Sequence, residues 1–311
     1  MVMSEHTAEP ELPRAVALAW GVAANPQRGP KRELSIERIV EVAMQLADAG
    51  GLASVSMAAV ASELGFTPMS LYRYVSAKDD LVLLMQESGV GVPPEAVREA
   101  AAGDGGWRAA LAAWEQGQLA GYLEHPWLLD IPIASMTPTP NNLAWFDAGL
   151  EALAATGLSY DEKASVVLAV QAQARWEGTA RRGPGPDGDA AAEARDAALL
   201  ASLVTETEFP SIHAALAEGV FAPGHESFAF GLERLLDGVD AYLTGRTAGA
   251  PGAGTAAAAT AVAAAERDVE ASRDQKYREA VKARREVEKK LREARKRERE
   301  LLRAARDRLR R

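Results

Sequence analysis

The 311-residue chain contains no cysteine, only four histidines and few aromatic residues (6%). Without cysteine there is no disulfide, no thiolate-held metal and no thiol nucleophile. His6, His125, His213 and His225 are scattered without metal-ligand spacing, so no metal site is expected. No apolar run approaches the ~18 residues of a membrane span, so no membrane partner is expected. The opening MVMSEHTAEPELPR lacks the basic-then-apolar order of a secretory signal, which makes the expected location cytoplasmic. Also missing are a Gly-x-Ser-x-Gly elbow, a P-loop and a His-x-x-Glu-His run. Gly183-Pro184-Gly185-Pro186-Asp187 is a loop and not a phosphate cradle, because proline removes N–H donors. No catalytic residue and no cofactor is assigned, and the chain is not expected to be an enzyme.

Apolar residues make up 48% of the sequence, and much of that share is alanine. Alanine favours helix, and no run of alternating β-branched and aromatic residues suggests a sheet. The expected fold class is all-α. Five zones follow from composition: a flexible N-terminal arm (1–33), a compact helical segment rich in caps (34–88), a larger helical body (89–246), a Gly/Ala linker (247–265) and a charged helical tail (266–311). The net charge of −9 hides a division. The tail holds 19 Lys/Arg and 11 Asp/Glu, whereas the remainder holds 16 against 33.

Segment 34–88 is the most informative. Ser35 is a suitable cap for a first helix, along which Ile36, Ile39, Val40, Ala43, Met44 and Ala47 recur at helical spacing, and Gly50-Gly51 ends it. Ser56 caps a short second helix with Val60 and Leu64 facing inward. Gly65-Phe66 gives a tight turn, Thr67 a cap and Pro68 a first helical position where its missing N–H costs nothing. In the third helix, 68–75, Leu71 and Val75 are core positions, leaving Thr67, Met69, Ser70, Tyr72 and Arg73 on the opposite face. Ser76-Ala77-Lys78-Asp79 has the form of a capping box opening a fourth helix. Two short helices about a glycine turn suit insertion of the second into a major groove. There a guanidinium pairs with guanine and an apolar tip meets thymine methyl, while tyrosine hydroxyls (Tyr72, Tyr74) and Lys78 are candidates for phosphate bonds, and Ser56 is a further DNA-binding candidate. Between Asn25 and Asp80 there are six Lys/Arg and seven Asp/Glu, so affinity must come from a few placed cations. Arg28, Lys31 and Arg32 in PQRGPKR are candidates for a minor-groove arm, or else belong to a solvated linker.

The string LGFTPMSLYRYVSAKDDL resembles the helix-turn-helix signature of the TetR family, with Leu64-Gly65, Leu71-Tyr72 and Lys78-Asp79-Asp80-Leu81 at the family's places. The likeness is strong over about 34–85, and beyond that it extends only to length and helical class. It implies phosphate contacts from Tyr72 and Lys78, and positions at or near base edges for Thr67, Pro68, Met69 and Arg73. It also implies a homodimer formed through two C-terminal helices, here Tyr160–Arg181 and Glu226–Leu243, on a palindromic double-stranded DNA operator. The 89–246 body would then bind a small-molecule effector and carry the dimer contacts. Candidate lining residues are Trp107, Trp114, Tyr122, His125, Trp127, Met136, Trp145 and Trp176, although plain core packing explains each taken singly. The expected function is a ligand-released repressor. The rival reading is an interaction or scaffold protein acting through the charged C-terminal helix. Along that tail Tyr277, Ala280, Val287, Leu291, Ala294, Leu301 and Ala305 form a heptad-like seam broken by Arg284 and Glu298. Three readings compete for it, a solvated charged helix, a dimer-extending coiled coil and a nonspecific DNA- or partner-binding arm, and the first two together are the favoured expectation.

Overall fold

The computed structural model describes residues 12–22, 34–103, 106–132, 137–182, 190–220, 227–247, 271 and 273–309. Among these every regular element is helical. The chain divides into two compact units, residues 1–243 and 244–311.

The first unit opens with α1 (Arg14–Ala19), inside the zone read from sequence as an arm. Ala15 and Val16 are buried, and Leu18 and Ala19 pack on the core of the following helices. The arm reading therefore fails over these residues: six residues are too few to display a helical period, yet their apolar side chains have a core to enter. Arg28, Lys31 and Arg32 lie outside the described residues.

Helices α2 (Ile36–Gly50), α3 (Met57–Leu64), α4 (Pro68–Leu71) and α5 (Lys78–Val90) follow. Ser35 and Ser56 cap α2 and α3 as expected, their hydroxyls accepting from Arg38 N at 3.2 Å and Ala59 N at 3.1 Å. Gly51 leaves α2 at φ +73°, a conformation open to glycine. One core joins Ile39, Val42, Val60, Leu71, Val75, Leu81 and Met85.

The body continues with α6 (Glu95–Ala102), which the sequence reading missed, then α7 (Gly106–Glu124), α8 (Pro140–Ala152), α9 (Tyr160–Arg181), α10 (Ala190–Leu203) and α11 (Pro210–Ala217). α12 (Ser227–Thr247) begins in this unit and runs past Leu243, the end expected for it from the sequence. Thr247 thus ends a helix, and the remainder of the 247–265 linker lies outside the described residues. A second core gathers Leu111, Trp114, Trp145, Val167, Val170 and Leu236. In the second unit α13 (Gln275–Leu309) is one continuous helix.

Three polar junctions tie the body to the α2–α5 domain. Asp48 on α2 accepts from Trp127 Nε1 at 2.7 Å and pairs with His125 Nδ1 at 2.8 Å. Glu87 on α5 receives both the backbone N–H and the side-chain amide of Asn141, each at 2.8 Å. Trp145 Nε1 donates to Val90 O at 2.9 Å and Gly91 O at 3.0 Å, the carbonyls at the end of α5. The last of these fills carbonyl valences that a helix C-terminus otherwise leaves open.

Candidate nucleic-acid interface and effector cavity

The turn between α3 and α4 has a specific local cause. Gly65 sits at φ +74°, ψ 26°, and Phe66 N donates back to Ala61 O at 2.8 Å, closing α3 with a left-handed cap. The chain then reverses into α4 with Pro68 at its first position. Regular helix covers only residues 68–71, but the turn is carried on by Tyr72 N to Pro68 O (3.3 Å) and Val75 N to Leu71 O (3.0 Å). The Thr67 hydroxyl does not cap the backbone; it bonds the Ser70 hydroxyl at 3.0 Å. The expected capping box at 76–79 does not form either. The N-cap falls one residue later, on Ala77, which has no side-chain acceptor, and Asp79 and Asp80 in the first turn offset the open N–H groups instead.

This geometry presents one face. Thr67, Pro68, Met69, Tyr72, Arg73 and Lys78 are exposed, and Met69, at 75% exposure, points an apolar tip into solvent. Ser56 is exposed but its hydroxyl is engaged as a cap, and Ser70 is half-buried. Tyr74 is a correction: at 2% exposure it belongs to the core with Leu71 and Val75 and has no surface to offer a phosphate. Residues 71, 74 and 75 share one side of the turn, and the aromatic ring completes a core that two aliphatic residues alone would leave underfilled.

Behind this domain is a cavity of about 250 Å³, walled by α5, α7, α8 and α9 and by Leu128, Ile131, Pro132 and Thr137. Of the eight sequence candidates, Trp114, Tyr122 and Trp145 line it. Trp107 is half-buried beside the second core, Trp127 is buried in the first, and His125 faces Asp48 in a separate groove. Trp176 projects from α9 at 66% exposure and does not line this cavity, because its position falls on the side of α9 away from α7. Met136 lies outside the described residues.

The sequence reading missed the cavity's polar lining: Gln86, Gln118, Asn142, Gln171 and Arg175. A signal existed for Gln118, which sits four residues from both Trp114 and Tyr122 and so shares their inward face. Tyr122 OH donates to Gln118 Oε1 at 3.1 Å, and burial pushes the Tyr122 phenol pKa up, opposed by nearby Arg175. The Arg175 guanidinium lies 5.6 Å from the centre of the Tyr122 ring and donates to the backbone carbonyls of Leu129 (3.0 Å) and, more weakly, Ile131 (3.4 Å) and Leu128 (3.5 Å). Trp114 Nε1 is spent on Trp145 O at 2.8 Å, and the two rings meet edge to face at 5.8 Å.

A three-helix reading domain with an exposed recognition turn, set on a helical body that encloses a cavity, defines a helix-turn-helix DNA-binding regulator. Comparison with known proteins agrees. Residues 39–85 match the bacterial regulatory proteins of the tetR family, and residues 99–243 match the tetracyclin repressor-like C-terminal domain. The chain is 36% identical over 236 residues to the HTH-type transcriptional repressor DrrR1 of Streptomyces coeruleorubidus, covering 74% of this chain and 86% of that one. A solved structure of a possible TetR family regulator from Streptomyces coelicolor A3(2) is similar at 26% identity and TM-score 0.54, over 67% of this chain and all of the other (100%). The Streptomyces coelicolor TetR family protein ActR, solved in complex with actinorhodin, shares the fold at 23% identity and TM-score 0.57, over 69% of this chain and 99% of that one. The chain belongs to the TetR family of transcriptional regulators.

Proposed function

We infer that the chain is a homodimeric repressor that reads a palindromic operator with α4 and leaves it when a flat, uncharged, largely apolar effector fills the cavity. It acts where the bacterial chromosome lies, in the cytoplasm, and we assign it no catalytic step, since its family is one of regulatory proteins. The arm at Arg28, Lys31 and Arg32 remains part of this reading as a minor-groove contact. Base contact is given to Arg73, Met69 and Thr67, with Pro68 and Ser70 at the edge of that face. Phosphate contact goes to Tyr72 and Lys78, and Ser56 serves as the cap that orients α3.

The observation that carries this reading is the position of Trp145. Its ring forms cavity wall, and its Nε1 holds Val90 O and Gly91 O at one end of α5. Lys78 stands at the other end of that helix, roughly 20 Å away along 13 residues. An occupant that moves the Trp145 ring moves α5, and with it the phosphate contact and the attached recognition turn. The ligand must favour the displaced arrangement, since equal affinity for both would change nothing.

The lining defines the effector's chemistry. Aromatic rings offer flat apolar contact, three glutamines and an asparagine offer neutral hydrogen-bonding edges, no carboxylate lines the cavity among the described residues, and the one cation in the lining, Arg175, is already engaged by the carbonyls of Leu128, Leu129 and Ile131. At about 250 Å³ the space is just under the ~300 Å³ at which small-molecule pockets usually begin, so the occupant is small or the walls part for it. The solved complex of ActR with actinorhodin supports the reading of a ligand-responsive regulator.

Dimerisation through α9 and α12 is supported by apolar side chains that a lone protomer leaves in water: Leu168 and Trp176 on α9 and Phe230 on α12. The test is selection of random duplex DNA by the purified protein beside its Arg73→Ala variant. A palindrome that Arg73→Ala relaxes, at a cost of about 1–3 kcal/mol in affinity, supports the reading. Failure to enrich any sequence overturns it.

A further inference from the structure

The tail helix α13 carries a pattern that operator reading does not use. From Arg278 a cation recurs at Lys282, Arg285 and Lys289, and so on by alternate steps of four and three to Arg303 and Arg306, nine in all. The helix is continuous over that whole range. Steps of four and three return to one helix face. The face thus holds nine cations and no acid, while the helix's six glutamates and Asp307 stand at other positions. Ala280, Val287, Leu291, Ala294 and Ala305 fall on the opposite side.

A helix stabilised only by its own ion pairs alternates sign along a face, because like charges three and four residues apart repel. Glu279, Glu286, Glu293 and Glu300, three or four residues from cations of the row, offset part of that repulsion, but nine cations outnumber them and the row suits a polyanion lying along it. Arg278, Lys282 and Lys289 are exposed. The reading domain leaves such a need unmet, with its six Lys/Arg offset by seven Asp/Glu between residues 25 and 80.

We propose that α13 is a second, sequence-independent DNA-binding element whose cationic face lies along duplex phosphates. The inference rests on the reading of the chain as a DNA-binding regulator, since α4 brings the chain to a duplex and raises the local concentration of phosphate around the tail. An anionic lipid surface fits less well: interfacial helices insert bulky apolar and aromatic side chains, and α13 has Tyr277 alone as an aromatic residue, with alanine prominent on its apolar side.

The test compares the full-length protein with two triple variants of equal charge change. One removes three cations from the row (Arg278→Gln, Lys282→Gln, Lys289→Gln), and the other removes three from outside it (Lys276→Gln, Lys290→Gln, Arg297→Gln). Glutamine keeps helix propensity, and circular dichroism checks that both variants remain helical. Anisotropy of a labelled random-sequence duplex is followed between about 50 and 200 mM salt. The row variant should lower the log–log salt slope by about 3 per protomer and weaken binding about tenfold or more, with a clearly smaller loss in the other variant. Equal losses, no loss, or tighter binding by the row variant (as when the row is held by the acidic body) each overturn the proposal. So does a row-dependent gain of phosphatidylserine vesicle binding with unchanged DNA binding. Because the probe duplex carries no operator, the outcome is separable from the Arg73→Ala selection.

Discussion

The Arg14 guanidinium donates to the main-chain oxygen of Arg73 at 3.0 Å, so α1 is fastened to the residue proposed above to read a base. A few residues on, Trp20 Nε1 donates to Pro138 O at 2.9 Å, beside Thr137 in the cavity wall. The segment from Arg14 to Trp20 thus spans from recognition turn to cavity on the outside of the domain. Loss of one such bond is worth about 1 kcal/mol, or roughly fivefold in affinity when the ordered turn is what binds. Arg14→Met should therefore weaken operator binding by about that factor with a small change in random-duplex binding, and Arg14→Lys should recover part of it. Equal weakening on both duplexes, measured by anisotropy, would mean that Arg14 acts as a plain phosphate cation.

Tyr72 and Tyr74, two residues apart, should separate binding from stability. Tyr72 is exposed and Tyr74 is buried among Leu71, Val75 and Met85. Tyr72→Phe should lower DNA affinity severalfold and leave the melting temperature unchanged. Tyr74→Ala should cost on the order of 3–5 kcal/mol of stability, read as a fall of about 10 °C in thermal melting. If Tyr74→Ala melts like the parent protein, the core assignment is wrong.

The close packing of Gly117 against Trp145 gives a handle on the link from cavity to α5. A Cβ at Gly117 would stand 2.8 Å from the ring edge of Trp145, too close for the ring to stay where it is. Gly117→Ala should push the ring off the Val90 and Gly91 carbonyls and cost about 1–3 kcal/mol by overpacking. DNA affinity should change with it, in the direction that effector binding produces. Trp145→Phe removes the donor together with part of the ring's bulk, so it loosens the contact to α5 by underpacking where Gly117→Ala loosens it by overpacking. Unaltered operator binding in both would sever the proposed connection.

What the sequence made legible was whatever a local rule decides. Ser35, Ser56, Gly51, Gly65 and Pro68 act within a few residues of themselves, and the helix-turn-helix could be read from them almost residue by residue. The reading failed where a residue's partner is distant in the chain. Tyr74 and Tyr72 look alike in sequence, and only packing against α2 and α5 makes one of them core. Trp127 and Trp176 were both plausible cavity walls, yet one is claimed by Asp48, 79 residues earlier, and the other points away from its own unit's core. Arg175 escaped notice because its role is to satisfy carbonyls at 128–131, which no periodicity announces. The α1 helix was hidden for the same reason, since its stability comes from the domain it docks on.

The buried carboxylate of Glu115 should make stability fall as pH rises from about 4.5 to about 7. Glu115 lies on α7 at 1% exposure, and Gln116 Nε2 donates to one oxygen at 2.8 Å while the other has no partner. Burial, and secondarily the charge of Glu177, push its pKa up to about 7 from an ordinary 4.5. Between those two values the folded protein holds a proton that the unfolded chain releases, so unfolding becomes easier as pH rises through that window and the penalty is constant above it. Glu115→Gln keeps the size and a carbonyl acceptor without the charge. Its melting temperature should match the parent near pH 4.5, exceed it progressively up to pH 7, and stay several degrees higher at pH 8. Glu177 tests the cause: it is buried and bonded by Arg181 at 2.5 Å, so Glu177→Gln should lower the Glu115 pKa and narrow the window without closing it. A parent protein whose melting temperature is flat from pH 4.5 to 7 would show that Glu115 is ionised in the fold at no cost, which its unpartnered oxygen argues against.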